Sequence, residues 1–185
     1  MQSSDGSCSH RRVVRIRPLE LADAPALLEL RLRNRAFLEP WEPLREERWF
    51  TLAAQEEGVR AALRERDEGR ALPFAIEAEG TLVGGVNLNV VVRGVFENAY
   101  LGYWLDEAHG GRGISTEAVR QAVEHAFGPA GLHRVQAAVI PRNSPSLRLL
   151  EKLGFREEGY AERYLRINGV WEDHRIFALT REEWR

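Results

Sequence analysis

Several things are scarce in this chain, and each shortage removes a class of function. Cys8 is the only cysteine, so no internal disulfide can close and no cysteine metal cluster can form. The five histidines, at positions 10, 109, 125, 133 and 174, include no metal-type pair such as His-x-x-x-His, which predicts a protein without a metal. Lys152 is the only lysine. No Gly-Lys-Ser/Thr follows a glycine run, so the phosphate lysine of a Walker-type nucleotide triphosphatase is missing. No apolar run approaches the ~20 residues that cross a bilayer, and the polar, serine-rich head lacks the apolar core of a signal peptide. A cytoplasmic protein without membrane contact is expected. Charge of one sign is lacking too: the formal net charge is −2, and segments such as Arg45-Glu46-Glu47-Arg48 interleave both signs. No broad field draws the chain to nucleic acid, so none is expected to bind directly.

What is present is a soluble-domain composition, 44% hydrophobic and 29% charged over 185 residues, enough chain for one substantial core. Residues 1–12 are expected to be a disordered tail and residues 13–185 a single domain. Val13-Val14-Arg15-Ile16-Arg17 alternates and stops at Pro18, which predicts a strand. Asp23 is expected to cap a helix running through Leu27, Leu28, Leu30 and Leu32 toward Leu38. The two prolines of Phe37-Leu38-Glu39-Pro40-Trp41-Glu42-Pro43 forbid a continuous helix, and a second helix is predicted over residues 49–67. Residues 74–78 and 82–92 read as strands joined at Glu79-Gly80, and residues 100–105 as another. Beyond them come strand 134–140, helix 144–153, strand 155–160 and a hairpin turning at Asn168-Gly169. Early strands and helices, then a central sheet with helices interleaved, predict an α+β fold with a mixed sheet.

The densest signal is His109-Gly110-Gly111-Arg112-Gly113-Ile114-Ser115-Thr116-Glu117-Ala118. It stands between the strand Tyr100-Leu101-Gly102-Tyr103-Trp104-Leu105 and a helical pattern of Ala118, Val119, Ala122, Val123 and Phe127. Strand, glycine loop, helix start turns several backbone N–H groups toward one point, and the helix dipole adds positive potential there. That is an anion site suited to a phosphate, with Arg112 as an added charge. A bland alternative stays open: the glycines can simply make the turn and cap the helix.

With a second motif the chain resembles the GCN5-related N-acetyltransferase (GNAT) superfamily from about Val13 to Trp184. The glycine loop with Thr116-Glu117-Ala118 looks like that family's pyrophosphate loop. Asn143-Ser144-Pro145-Ser146 with Lys152-Leu153-Gly154-Phe155 looks like its second signature. Within the superfamily the chain is similar to the RimJ/RimL group, and nearest to its RimJ branch of ribosomal-protein-alanine acetylases. Asn34-Arg35-Ala36-Phe37-Leu38-Glu39-Pro40-Trp41-Glu42-Pro43, Glu158-Gly159-Tyr160-Ala161 and Gly169-Val170-Trp171-Glu172-Asp173-His174 carry that likeness. The resemblance implies a GNAT fold: a mixed, mostly antiparallel sheet of about seven strands flanked by about four helices. It implies acetyl-CoA as acyl donor, no metal, direct attack in a ternary complex, and a monomer or homodimer.

By the same resemblance the cofactor contacts are Tyr103, Trp104, Leu105, Gly110, Gly111, Arg112, Gly113, Ile114, Ser115, Thr116, Asn143 and Ser146. The strand Tyr103-Trp104-Leu105 is expected to splay from the strand ending near Ile140, leaving backbone groups to bind the pantetheine arm as a strand would. Acceptor contacts are expected at Phe37, Trp41, Glu42, Tyr100 and Tyr164. The resemblance transfers no base, because Tyr100 and Leu165 stand where relatives carry glutamates. Ser146 is the candidate donor to the departing thiolate; Tyr100 and Glu97 are the candidates on the amine side, with Glu42 as a further relay. An α-amine, with a reference pKa near 8, is partly neutral at cytoplasmic pH where lysine is not, so an N-terminal acceptor needs little base strength. The partner implied is a protein or peptide N-terminus such as that of a ribosomal protein. A small amine or antibiotic, or a non-catalytic CoA- or ribosome-binding module, are the alternatives.

Overall fold

The computed structural model describes residues 13–185; the tail expected over residues 1–12 lies outside the described residues. Seven strands form one sheet: β1 (Val14–Pro18), β2 (Leu72–Ala78), β3 (Thr81–Val92), β4 (Asn98–Leu105), β5 (Arg134–Val139), β6 (Arg156–Ile167) and β7 (Val170–Thr180). Their order is β1-β2-β3-β4-β5-β7-β6, and among the described residues β4–β5 is the one parallel pair. The helices are α1 (Ala24–Arg33), α2 (Arg35–Leu38), α3 (Leu52–Asp67), α4 (Ile114–Phe127) and α5 (Ser144–Lys152). The expected mixed, mostly antiparallel α+β architecture is therefore observed, with α2 as a single turn beyond the four helices foreseen.

Turn chemistry explains the hairpins. Glu79 and Gly80 both take positive φ (54° and 80°), as do Asn168 and Gly169 (42° and 81°). Two successive left-handed residues give the turn whose twist matches the flanking strands. On α4, Ala118, Val119, Ala122, Val123 and Ala126 are fully buried. They fall on one stripe at helical spacing and pack against β1, β3, β4 and β5. Each fully buried valine contributes roughly 1.5–3 kcal/mol relative to exposure. Leu147, Leu149 and Leu150 of α5 join the same core, while α1 and α3 pack against each other and against β3 and β2.

Four local expectations need correction. Asp23 holds the N-cap position of α1 but its side chain makes no capping bond: the carboxylate accepts from the two terminal Arg17 nitrogens (2.8 and 2.6 Å) and from the Glu20 backbone N–H (2.9 Å). The cation 2.6 Å away outcompetes the helix N–H groups. The first helix stops at Asn34 instead of reaching Leu38, because the buried Asn34 amide bonds the Leu30 carbonyl and Asp106. The second helix begins at Leu52, where Thr51 Oγ1 accepts from Ala54 N–H (3.3 Å); residues Glu47–Phe50 form a separate 3₁₀ turn. β6 continues to Ile167, past Tyr160, through an irregularity between Ala161 and Leu165.

Candidate active site

The site grows from the parallel seam. β4 and β5 pair only at Asn98–Arg134, Ala99–Val135 and Tyr100–Gln136. Beyond that the strands part, and residues 101–105 and 137–140 line a cleft of about 630 Å³. β4 keeps its pairing to β3 through Leu105 and β5 keeps its pairing to β7 through Val139, so the edges that face each other carry backbone groups with no strand partner. This is the expected splay.

The glycine loop closes one end of the cleft. Gly111 and Gly113 lie at φ 69° and 77°, a region costing an L-residue roughly 1–2 kcal/mol. Gly113 is the N-cap of α4 and supplies no side chain, so the N–H groups of the first turn stay available to an anion. Gly110, Gly111, Gly113, Ile114, Ser115 and Thr116 all line the cleft; Arg112 is outside the lining. The loop is anchored by Asp106, which is 1% exposed and bonded to Asn34 Nδ2 (2.8 Å), Arg33 (2.8 Å) and His109 Nδ1 (2.7 Å). Burial pulls the Asp106 carboxyl upward, but the bonds from Asn34, Arg33 and His109 outweigh it and hold the group below its ordinary range.

Across the middle, Tyr103 of β4 meets Ser146 of α5, hydroxyl to hydroxyl at 2.7 Å. Burial pushes the Tyr103 phenol up to about 12, against the opposing Ser146 bond, so it stays protonated through the neutral range. The two hydroxyls carry two protons and spend one on each other, which leaves one to donate. Asn143 caps α5 by accepting from Ser146 N–H (3.2 Å), and its amide nitrogen remains a donor.

The far end is built from side chains. Phe37, Trp41, Glu42, Trp104, Leu165 and His174 line it. Trp104 lies over Gly85, where an added Cβ would come within 2.8 Å of Nε1. Arg31 stacks 3.6 Å from the Trp104 ring and pairs with Glu42 at 2.5 Å. Two links tie this wall to the β6–β7 hairpin: Asn168 N–H donates to the Glu42 carbonyl (2.8 Å), and Arg142 bonds both Glu172 (2.7 Å) and the Pro40 carbonyl (3.3 Å). Tyr103 and Trp104 are adjacent on a strand and so face opposite ways. The cleft therefore passes through the sheet, from the glycine loop and hydroxyl pair on one face to the aromatic wall on the other.

Besides Arg112, three expected contacts are not brought to it. Glu97 precedes β4 at its opposite end, exposed, with its carbonyl taking His133 and Arg134 N–H groups. Seven residue steps along the strand separate it from Trp104, roughly 23 Å at 3.3 Å per residue, so it cannot share the chemistry of the cleft. Tyr100 sits in the paired seam opposite Gln136, and Tyr164 packs on the His174 ring; neither lines the cleft. Reading the sequence missed Arg31, Asp106, His109 and His174. The alternation of β7 could have turned His174 inward; the others depend on contacts more than 10 residues apart or on a loop's closure.

The fold and the divided seam define an acetyltransferase of the GNAT class, and the Acetyltransferase (GNAT) domain family matches residues 14–156: the chain belongs to that family. It is 41% identical over 170 residues to a probable N-acetyltransferase, YjcK, of Bacillus subtilis, covering 91% of this chain and 94% of that one. It is 36% identical over 164 residues to the [ribosomal protein uS5]-alanine N-acetyltransferase of Escherichia coli, covering 88% and 84%. Among solved structures, Mycobacterium smegmatis RimJ in complex with CoA-disulfide superposes with a TM-score of 0.90 at 38% identity, over 92% of this chain and 83% of that one.

Proposed function

We propose that this protein transfers the acetyl group of acetyl-CoA to the N-terminal α-amine of a protein, such as a ribosomal protein, in the cytoplasm. The observation that carries this reading is the cleft that runs through the sheet, with an anion-binding loop and a spare hydroxyl proton at one end and an aromatic, carboxylate-bearing chamber at the other. Such a site admits two substrates from opposite faces and lets them meet at the seam, which supports direct attack in a ternary complex. The E. coli relative's name supports an alanine N-terminus as acceptor, and the M. smegmatis complex supports CoA as carrier.

The residues present fit that carrier. First-turn N–H groups of α4 and those of Gly111 and Gly113 would hold the pyrophosphate. Facing edges of β4 and β5 and the Asn143 amide would take the pantetheine amides. The bound thioester supplies an activated acyl carbon. The chain's own part is orientation, exclusion of water and a proton for the departing sulfur from the Tyr103–Ser146 pair. Phe37, Trp41 and Glu42 would receive the acceptor, with Glu42 offering a carboxylate to an ammonium. The test is a panel of Ala- and Ser-starting peptides beside spermidine and an aminoglycoside, with products identified by mass spectrometry. Peptides modified only at the α-amine are expected; turnover confined to the small amines would overturn the acceptor assignment.

A further inference from the structure

His174 is used by nothing described so far. It is 2% exposed, yet it lines the cleft. On β7 it stands opposite Ala161 of β6, one residue before Arg175, the partner of Val139 in β5. It therefore lies one strand, roughly 5 Å, from the end of β5 that borders the divided seam. Its Nδ1 is 2.9 Å from the backbone carbonyl of Glu172. A carbonyl can only accept, so Nδ1 carries the hydrogen and Nε2 of the neutral ring keeps its lone pair. Nε2 has no hydrogen-bond partner among the described residues, and the residue borders the cleft.

The surrounding strand is shaped to hold that ring. β6 leaves its register between Ala161 and Leu165, with Arg163 at φ 49°. Asp173 clamps the irregularity by accepting from Arg163 N–H (2.8 Å) and Tyr160 Oη–H (2.7 Å). The extra residues bring the Tyr164 ring edge-on to His174, with centroids 5.6 Å apart. Adjacent β7 residues thus divide the labour: Asp173 points one way and fixes the bulge, and His174 points the other and is fixed by it. Bulges beside active sites commonly re-aim a side chain in this manner.

We propose that Nε2 of His174 accepts the proton that the acceptor ammonium must lose before it attacks; this rests on the function proposed above. The ammonium passes one proton to Nε2. The freed nitrogen lone pair forms the N–C bond at the thioester carbon, and the carbonyl π pair moves to oxygen. That pair returns as the C–S bond breaks with its electrons on sulfur. Sulfur takes a proton from the Tyr103–Ser146 pair, and the nitrogen's second departing proton replaces it. The remaining proton leaves His174 for solvent.

The ionisable groups sharing the cleft with His174 are Glu42, Tyr103, Asp106, His109, Arg148 and Lys152. Tyr164 lies against its ring, and Asp173 is within electrostatic reach. Each of these is retained in the variants that test the proposal, so a change in pH dependence belongs to position 174.

The test compares wild type with His174→Gln and His174→Phe on an Ala-starting peptide from pH 6 to 9.5. Both variants should lose about 100-fold in kcat/KM at pH 6.5, the low end for a general base. The deficit should shrink to about threefold at pH 9.5, where an α-amine of pKa about 8 is already neutral. CoA affinity by calorimetry should stay within about twofold, as expected if only proton transfer is removed. A loss of equal size at every pH, or a His174→Phe enzyme as fast as wild type at pH 6.5, would overturn the assignment. Nitrogen-15 spectra of the neutral wild-type protein provide a readout without any variant: the Nδ1–H tautomer is expected, and the Nε2–H tautomer would overturn it. Wild-type turnover of spermidine without peptide turnover would defeat the acceptor assignment alone, and the same variant comparison on spermidine would then decide His174.

Discussion

The two ends of the cleft are made of different material. At the glycine loop, the working groups are backbone: N–H donors of a helix start and strand edges left open by the divided seam. At the other end they are side chains, Phe37, Trp41, Glu42 and His174, held by an Arg31–Glu42 pair, an Arg31–Trp104 stack and hydrogen bonds to a hairpin. Backbone groups present the same donors whatever the sequence, so the first end suits a ligand shared by many relatives. Side chains change one at a time, so under the proposed function the second end is where an acceptor preference would be set. Mutations should respect this division, moving one substrate's constants and leaving the other's alone.

The largest effect is expected at the backbone end. Gly113→Val forces a β-branched residue to φ 77° and should raise the Kd for CoA about 100-fold or more, with circular dichroism unchanged. Unchanged affinity in a folded variant would dissolve the distinction between the two ends. Next comes the junction: Ser146→Ala should lower kcat about 10- to 100-fold with the acetyl-CoA KM nearly constant, because a proton for sulfur is needed mainly in the transition state. A change in KM alone would move Ser146 to the binding groups. The paired phenol has a stability signature. Its folded pKa near 12 exceeds the ordinary 10, so its contribution is full below pH 10 and is lost as pH rises from 10 to 12. Urea unfolding at those two pH values should show about 2 kcal/mol more loss in wild type than in Tyr103→Phe.

Smaller effects sharpen the comparison. Trp41→Ala should raise the peptide KM about tenfold while the CoA Kd stays put, since an aromatic at the acceptor end is removed and no backbone donor moves. A matching fall in CoA affinity would show that the two ends are one unit. Arg112→Ala should cost less than about threefold in CoA affinity, and less still at high salt, because its side chain lies outside the cleft lining and exposed charges are screened.

What could be read in the sequence divides along the same line. Elements governed by local rules were legible: the alternation of β1, the left-handed pair Asn168-Gly169, the proline break at Pro40, and Gly111 and Gly113 ahead of α4. So was the seven-stranded mixed sheet, through the family likeness. Misreadings came where a distant partner outbid a local preference. Asp23 looks like a cap until Arg17 takes its carboxylate, and Asn34 looks helical until Asp106, 72 residues away, takes its amide. Glu97 carries a carboxylate that could serve an ammonium, but strand geometry puts it at the far end of β4. His174 faces the cleft by the alternation of β7, but the Tyr164 ring that packs against it is brought there by an irregularity in β6, which local alternation does not announce.

The divided seam has a mechanical consequence. Three residue pairs, Asn98–Arg134 to Tyr100–Gln136, are all the ladder that joins the β1–β4 half of the sheet to the β5–β7 half. Under the proposed function, a bound pantetheine adds rungs exactly where the ladder stops, so occupancy stitches the halves together. Ligand at about 100 times its Kd would add roughly 2.7 kcal/mol to folding stability. Amide exchange in residues 101–105 and 137–140 would slow with it, since these edges would cease to open locally. A cell short of acyl donor would then hold a looser enzyme, more readily cut by proteases, and the amount of protein would follow the supply of its own substrate.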